Sequence, residues 1–453
     1  MLIRFSVANF RSFSEEAVFS MVPGRSRQHA DHILKASRPD GIDLLRMGLL
    51  YGANASGKSN LVKAMAFARE LIVDDKKAEQ PILVQPFRLD SIYQTRPSFF
   101  QFEFIVEGTY YVYGLELTPT EIKEEWLQTV KNDTEQTLFD RKTIDGKAIV
   151  DFPDLFIEDE DEEERLYLRF VARSCNPNQT FLHAAIRNNL DTFGQPFHWF
   201  KNKLKIISPV RSYNNLLEIL HDNEQAIDYI QRHILTTSNT GIGRISVLKV
   251  LENENPFELT SEEIEAVASF PSDIGFVQEF TLNNRSYALR RSREDHNIYM
   301  LGTARRTSDG KETWFHFSDE SDGTQRLIEL AALIFSDEDQ VIVIDELERS
   351  LHPNLVRQFL MLLAEQDNRN QLIVTTHEST LLDLDLLRRD EIWFVEKSPA
   401  GASTVYSLEE FKPRHDLDIR KGYLQGRFGA IPVFGNALQA DEEDARCHEN
   451  AVP

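Results

Sequence analysis

Gly52-Ala53-Asn54-Ala55-Ser56-Gly57-Lys58-Ser59 follows the short apolar run Leu49-Leu50-Tyr51 and opens a helical pattern. From Asn60 to about Val73, apolar residues fall at Leu61, Ala64, Met65, Ala68, Leu71 and Ile72, which is helix spacing. A G-x-x-x-x-G-K-S run between a strand and a helix is a phosphate loop. Its glycines let backbone N–H groups wrap phosphate oxygens, and the helix N-terminus adds partial positive charge. Asn54, Ala55, Ser56, Gly57, Lys58, Ser59 and Asn60 are therefore expected to hold a nucleoside triphosphate. Lys58 should reach the β- and γ-phosphates, and the Ser59 hydroxyl should ligate Mg2+.

Two later strands carry polar residues at their C-terminal ends. Val341-Ile342-Val343-Ile344 runs into Asp345-Glu346, and Leu372-Ile373-Val374 runs into Thr375-Thr376-His377. Parallel strands in such folds present their ligand-binding residues at that end. Asp345 is expected to hold Mg2+, Glu346 to act as the base that polarises the attacking water, and His377 to reach the γ-phosphate. Glu348, on the following turn, reads as structural. His352, ahead of Pro353, either faces a subunit interface or caps the helix that Pro353 starts.

The strand–helix alternation predicts an α/β fold with a mixed, mostly parallel sheet. An antiparallel β subdomain is predicted from Phe99–Val106 and Tyr110–Leu117, which alternate about Glu107-Gly108 as a hairpin. Residues 2–20 read as two strands turning near Arg11-Ser12. Residues 1–150 are expected to form the N-terminal half of the head, 151–274 an inserted, mostly helical lobe, and 275–435 the C-terminal half. Residues 436–453 are acidic and aperiodic, and are expected to be disordered. The run Glu158–Glu164 reads as a solvated acidic loop.

Composition narrows the function classes. The 453-residue chain is 41% hydrophobic and 27% charged, with no apolar run of membrane-spanning length. It starts directly in a strand pattern rather than a leader. Cys175 and Cys447 offer neither a disulfide framework nor metal-ligand spacing, so a cytoplasmic setting is expected. A net charge of −23 argues against a broad nucleic-acid surface. Arg285, Arg290, Arg291, Arg293, Arg305 and Arg306 read as solvated strand faces in preference to a local basic groove.

One further element, Ser321-Asp322-Gly323-Thr324-Gln325, lies between the phosphate loop and the acidic strand. Taken together, the phosphate loop, Ser321–Gln325, Ile344–Glu346, Ser350-Leu351-His352 and His377 resemble the ABC-type ATPases of the RecF, SMC and OLD group. Asn9-Phe10-Arg11-Ser12-Phe13 resembles that group's first strand and loop, which places Arg11 and Ser12 beside the nucleotide. Three segments look like the OLD/RloA/AbiL-type bacterial anti-phage ATPases: Ser321–Leu327, Glu346–Pro353 and Tyr423–Pro432. The likeness spans roughly residues 1–115 and 275–435.

The resemblance implies ATP with Mg2+ and a head-to-tail sandwich in a homodimer or higher homo-oligomer. Ser321, Asp322, Gly323, Thr324 and Gln325 would act as the signature in trans, and Ser350, Leu351 and His352 as the D-loop. Asp322 and Thr324 depart from transporter signatures, which use small residues there. The Q-loop residue that would join the metal is Gln85, ahead of Pro86-Phe87, with Gln101 as the alternative. The expected role is an ATPase switch controlling a separately encoded effector, a TOPRIM-like or HNH nuclease. The alternative is a RecF-like repair ATPase that binds DNA directly. A self-contained nuclease is disfavoured: about 75 residues follow His377, fewer than a usual domain. Asp383-Leu384-Asp385 reads as a polar helix start rather than a metal site.

Overall fold

The computed structural model describes residues 1–36, 41–75, 80–131, 134–152, 162–208, 216–221, 223–236, 240–250, 257, 259–269, 277–282, 285–291, 296–334, 339–365, 368–414 and 417–431. The expected disordered tail, most of the acidic run 158–164, Arg293, Cys447 and Pro432 lie outside them.

A six-stranded sheet forms the centre. Its order is Leu204–Ile207, Val341–Ile344, Gln371–Thr375, Met47–Tyr51, Ile392–Lys397 and Ser403–Ser407. The first five strands run parallel, and Ser403–Ser407 closes the edge antiparallel. Side chains alternate between two cores, as the pleat requires. Leu50, Val341, Val343, Ile373 and Val395 face one cluster with the Lys58–Val73 helix. Leu49, Tyr51, Ile342, Ile344, Leu372, Val374 and Phe394 face the other, with the Pro353–Ala364 helix. Burial on both faces explains why these strands read as continuous apolar runs rather than alternating ones.

A seven-stranded antiparallel sheet packs over the first face. It contains Leu2–Ala8, Ala17–Ser20, Ser98–Val106 and Thr109–Leu117. Its hairpin turns at Glu107 (φ 50°) and Gly108 (φ 77°), two left-handed residues as tight hairpins need. The strands Ile122–Lys131, Thr134–Ile144 and Lys147–Asp151 extend this sheet; no alternation had marked them in the sequence.

The described residues within 151–274 are mostly helical, and two of their strands pair into the sheets. Leu204–Ile207 pairs with Val341–Ile344 at the edge of the central sheet. Arg244–Val250 pairs with His296–Arg306 in a third, five-stranded antiparallel sheet. The helices within 162–203 bury Leu168, Phe181, Trp199 and Phe200 against the antiparallel sheet. Of the acidic run, Glu162–Glu164 begin the Glu162–Ser174 helix.

Candidate nucleotide site

Parallel pairing brings the ends of three central strands to one edge. Met47–Tyr51 leads into the phosphate loop, Val341–Ile344 into Asp345-Glu346, and Gln371–Thr375 into Thr376-His377. The loop is clamped from outside its own helix. A Cβ on Gly57 (φ 118°) would lie 2.4 Å from Ser403 Oγ and 2.9 Å from Ser12 Oγ. On Gly52 it would lie 2.3 Å from the Val395 carbonyl oxygen. Both glycines are therefore demanded by close approach as well as by phosphate binding. Ser403 Oγ donates to the Ser56 carbonyl at 2.5 Å, and Asn60 Nδ2 donates to Ser12 Oγ at 2.8 Å. Asn54 and Ala55 form the exposed tip, with Ala55 left-handed at φ 64°.

Lys58 is buried beneath this loop. Its Nζ donates to the Gly52 carbonyl at 2.8 Å and the Ala53 carbonyl at 3.1 Å, and lies 3.4 Å from His377 Nδ1. Burial lowers its ammonium to about 8, against the pull of Glu348, Asp345 and Glu346. Burial, then the Lys58 charge, also lowers the His377 imidazole, which favours a neutral ring able to accept from Lys58. The His377 N–H donates to Glu348 Oε1 at 2.6 Å. Glu348 thus holds the start of the His377 segment, which makes the structural reading of that residue specific.

The acidic centre is equally determined. Ser59 Oγ donates to Asp345 Oδ1 at 3.0 Å. The Asp345 N–H donates to the Ile207 carbonyl at 3.0 Å, so the edge strand from the helical segment fixes its backbone. Glu346 is left-handed at φ 57°, an uncommon conformation for a residue with a side chain, and its N–H donates to Thr375 Oγ1 at 2.8 Å. Two hard oxygen donors side by side, Ser59 and Asp345, suit a magnesium ion.

Two placements bear on the other assignments. The Gln85 carbonyl takes the Arg11 N–H at 2.7 Å, which sets Gln85 beside the Arg11-Ser12 turn that touches the phosphate loop. Gln101 sits mid-strand, paired with Ser6 and Gly114 in the antiparallel sheet. The Gln85 side chain is exposed and, among the described residues, bonds to neither Ser59 nor Asp345. Arg11 is left-handed at φ 52°, and its guanidinium packs on the Phe10 ring at 5.6 Å.

Ser321 caps the Asp322–Ile334 helix: its Oγ accepts the Thr324 N–H at 3.3 Å and lies 2.9 Å from Thr324 Oγ1. Gln325 Nε2 donates to the carbonyls of Ser318 at 3.1 Å and Glu320 at 2.8 Å. Behind this turn, Glu320 takes both nitrogens of Arg305 at 2.6 Å and the Thr303 hydroxyl. A Cβ on Gly323 would lie 2.7 Å from the Ser350 carbonyl, so Gly323 and the Ser350-Leu351-His352 turn abut within one chain. Ser321 and Asp322 are exposed. Among the described residues, no hydrogen bond joins 321–325 to the phosphate loop. His352 Nδ1 accepts the Asn354 N–H at 3.2 Å and caps the Pro353–Ala364 helix, the simpler of its two expected roles. Asp383 is held by Arg357 at 2.9 Å and accepts the Asp385 N–H; the pair lies in a turn between the short 3-10 segments Ser379–Leu381 and Arg389–Glu391, not at the expected helix start.

Sequence reasoning did not assign Thr375 or Ser403. Thr375 stood within a polar strand end that signalled it. Ser403 lies on the antiparallel edge strand, which carries no motif.

A phosphate loop, a parallel sheet and paired strand-end acids at one edge define an α/β P-loop ATPase head. The chain matches the family model described as "AAA domain, putative AbiEii toxin, Type IV TA system" over residues 49–166 and 174–383, and it belongs to that family. No curated protein matches it. Among solved structures it is similar to the SMC head domain from Thermotoga maritima, at 13% identity and TM-score 0.37, over 90% of this chain and 98% of that one. It is also similar to an Smc head from Pyrococcus furiosus bound to the C-terminal domain of ScpA, at 14% identity and TM-score 0.37, over 91% and 99%. Among the described residues, no helix is long and apolar enough to cross a membrane.

Proposed function

We propose that the chain binds and hydrolyses ATP with Mg2+ as a dimerising or higher-oligomeric switch. It would act in a bacterial anti-phage, abortive-infection-like system and control a separately encoded nuclease effector of TOPRIM-like or HNH type. One observation carries the switch reading. Lys58, Ser59, Asp345, Glu346 and His377 gather at one sheet edge, whereas Ser321 and Asp322 are exposed and, among the described residues, 321–325 makes no hydrogen bond to that edge. That is a half-site suited to completing a second protomer's pocket. The family's link to a toxin–antitoxin system supports the defence setting.

In this reading nucleotide phosphates replace the Gly52 and Ala53 carbonyls as partners of Lys58. Ser59 and Asp345 would hold a magnesium ion, which when bound would supply screening of phosphate charge. Glu346 orients and deprotonates the attacking water, and His377 senses the γ-phosphate. Direct DNA binding has less support, because Arg305 is committed to Glu320 and Arg285 faces Glu263 at 4.0 Å.

The test compares wild type with Glu346→Gln by ATP turnover and by sedimentation with and without ATP. Glu346→Gln should bind ATP, hydrolyse it at least a hundredfold more slowly, and accumulate as the larger species. Unchanged turnover removes Glu346 as the base. A monomer at every ATP concentration removes the sandwich. Phage challenge of cells carrying the chain with its neighbouring gene tests the defence role, and no protection in any such pair would refute it.

A further inference from the structure

Away from the nucleotide edge, His29, Asp31 and His32 converge where the segment after Ala17–Ser20 meets the segment before Ile392–Lys397. One ligand atom from each side chain lies within 4.8 Å of the other two. The imidazoles stack with centroids 4.9 Å apart. His32 is buried, His29 half-buried and Asp31 exposed, so the cluster is anchored inside and open outside.

The outer hydrogen bonds fix both rings. His29 Nε2 lies 2.8 Å from the Leu384 carbonyl oxygen. A carbonyl only accepts, so Nε2 carries the proton and Nδ1 a free lone pair. His32 Nδ1 lies 3.0 Å from both oxygens of Glu391, whose side chain is fully buried. Glu391 Oε2 also accepts the Arg388 N–H at 2.8 Å, so it acts as an acceptor here. With Nδ1 donating to that carboxylate, His32 Nε2 is left to coordinate, 3.9 Å from Asp31 Oδ2. A buried carboxylate behind a histidine in this way orients the ring and raises its basicity toward a metal. The surrounding loop is clamped as well. Arg388 donates to the Gln28 carbonyl and, at 3.1 Å, to the Ser26 carbonyl. Asp390 takes the Gly24 N–H at 2.6 Å.

From this geometry we propose a divalent transition-metal site of two imidazoles and one carboxylate, at His29, Asp31 and His32. The donor set is borderline-soft and suits zinc or cobalt rather than magnesium. Three protein ligands leave a fourth, water-filled position on the exposed side. Bound metal would lock the 29–32 turn, whose two rings hydrogen-bond Leu384 and Glu391, next to the strand that pairs with Met47–Tyr51.

Zinc and cobalt titrations of the full chain, in excess Mg2+ and ATP to occupy the nucleotide site, test this. Wild type should bind one equivalent that is lost or weakened at least tenfold in His29→Ala, and weakened at least threefold in Asp31→Asn. Co2+ should give a visible absorption band absent from His29→Ala. Zinc should raise the wild-type Tm and leave that of His29→Ala unmoved. Should His29→Ala prove unstable without metal, Asp31→Asn carries the test, because its side chain is exposed. Wild-type affinity in both variants, or no Co2+ band in wild type, would overturn the proposal.

Discussion

The Thr375 hydroxyl donates to Asp345 Oδ1 at 2.6 Å. One side chain at the end of one strand thereby aims the carboxylate at the end of its neighbour, while its oxygen also accepts the Glu346 N–H. Thr375→Val keeps the shape and removes both bonds. Losing hydrogen bonds to a buried carboxylate costs about 1.5–3 kcal/mol. ATP turnover should fall about tenfold or more with a smaller change in ATP affinity. Turnover equal to wild type would show that Thr375 does not position the pair.

The Lys58 ammonium, lowered to about 8 by burial, makes nucleotide affinity pH-dependent. Phosphate binds the protonated form and raises its pKa, so affinity is fully present below pH 8. It should decline as pH rises through 8, approaching roughly tenfold per unit. Equilibrium binding of ATP between pH 7 and 9.5 reads this directly. A flat profile would contradict it.

Gly323→Ala sets two effects against each other. Alanine in a helix gains up to about 1 kcal/mol over glycine. Its Cβ would meet the Ser350 carbonyl at 2.7 Å, and overpacking against backbone costs about 1–3 kcal/mol. Strain should win, lowering Tm and parting the Asp322–Ile334 helix from the Ser350 turn. A raised Tm in calorimetry would show that the contact yields freely.

Arg305→Met removes the bidentate partner of Glu320, whose side chain is only 4% exposed. Because Arg305 is a third exposed, the expected loss is about 1–2 kcal/mol, below that of a fully buried pair. Burial raises the Glu320 carboxyl, but the Arg305 and Thr303 bonds outweigh it and leave it below its ordinary value. This pair therefore stabilises the fold above the unfolded carboxylate range, and that contribution fades as pH falls through the folded value. Urea unfolding at pH 7 and pH 4 should show Arg305→Met losing less at the lower pH. Equal losses would exclude the linkage.

Much of the nucleotide edge was legible because its parts are local. A glycine loop, two apolar runs ending in polar residues and a helix period are each read within about ten residues. The same holds for the Glu107-Gly108 turn. Arg244–Val250, His296–Arg306 and the strands over 122–151 escaped notice because their pairing is settled by partners distant in sequence. Leu204–Ile207, inside an expected helical lobe, became an edge strand for the same reason.

The sequence by itself determined that a phosphate loop, a strand-end acid pair and a signature-like helix start are present. Only the tertiary structure decided which of them meet. Parallel pairing brings Ser59 to Asp345 and Lys58 to His377 across about three hundred residues, and leaves Ser321–Gln325 outside that cluster. The physical reason is that strand register and sheet order depend on the packing of two whole faces. Tertiary packing likewise sets Ser403 against Gly57 and Glu391 behind His32, relationships to which no local pattern points.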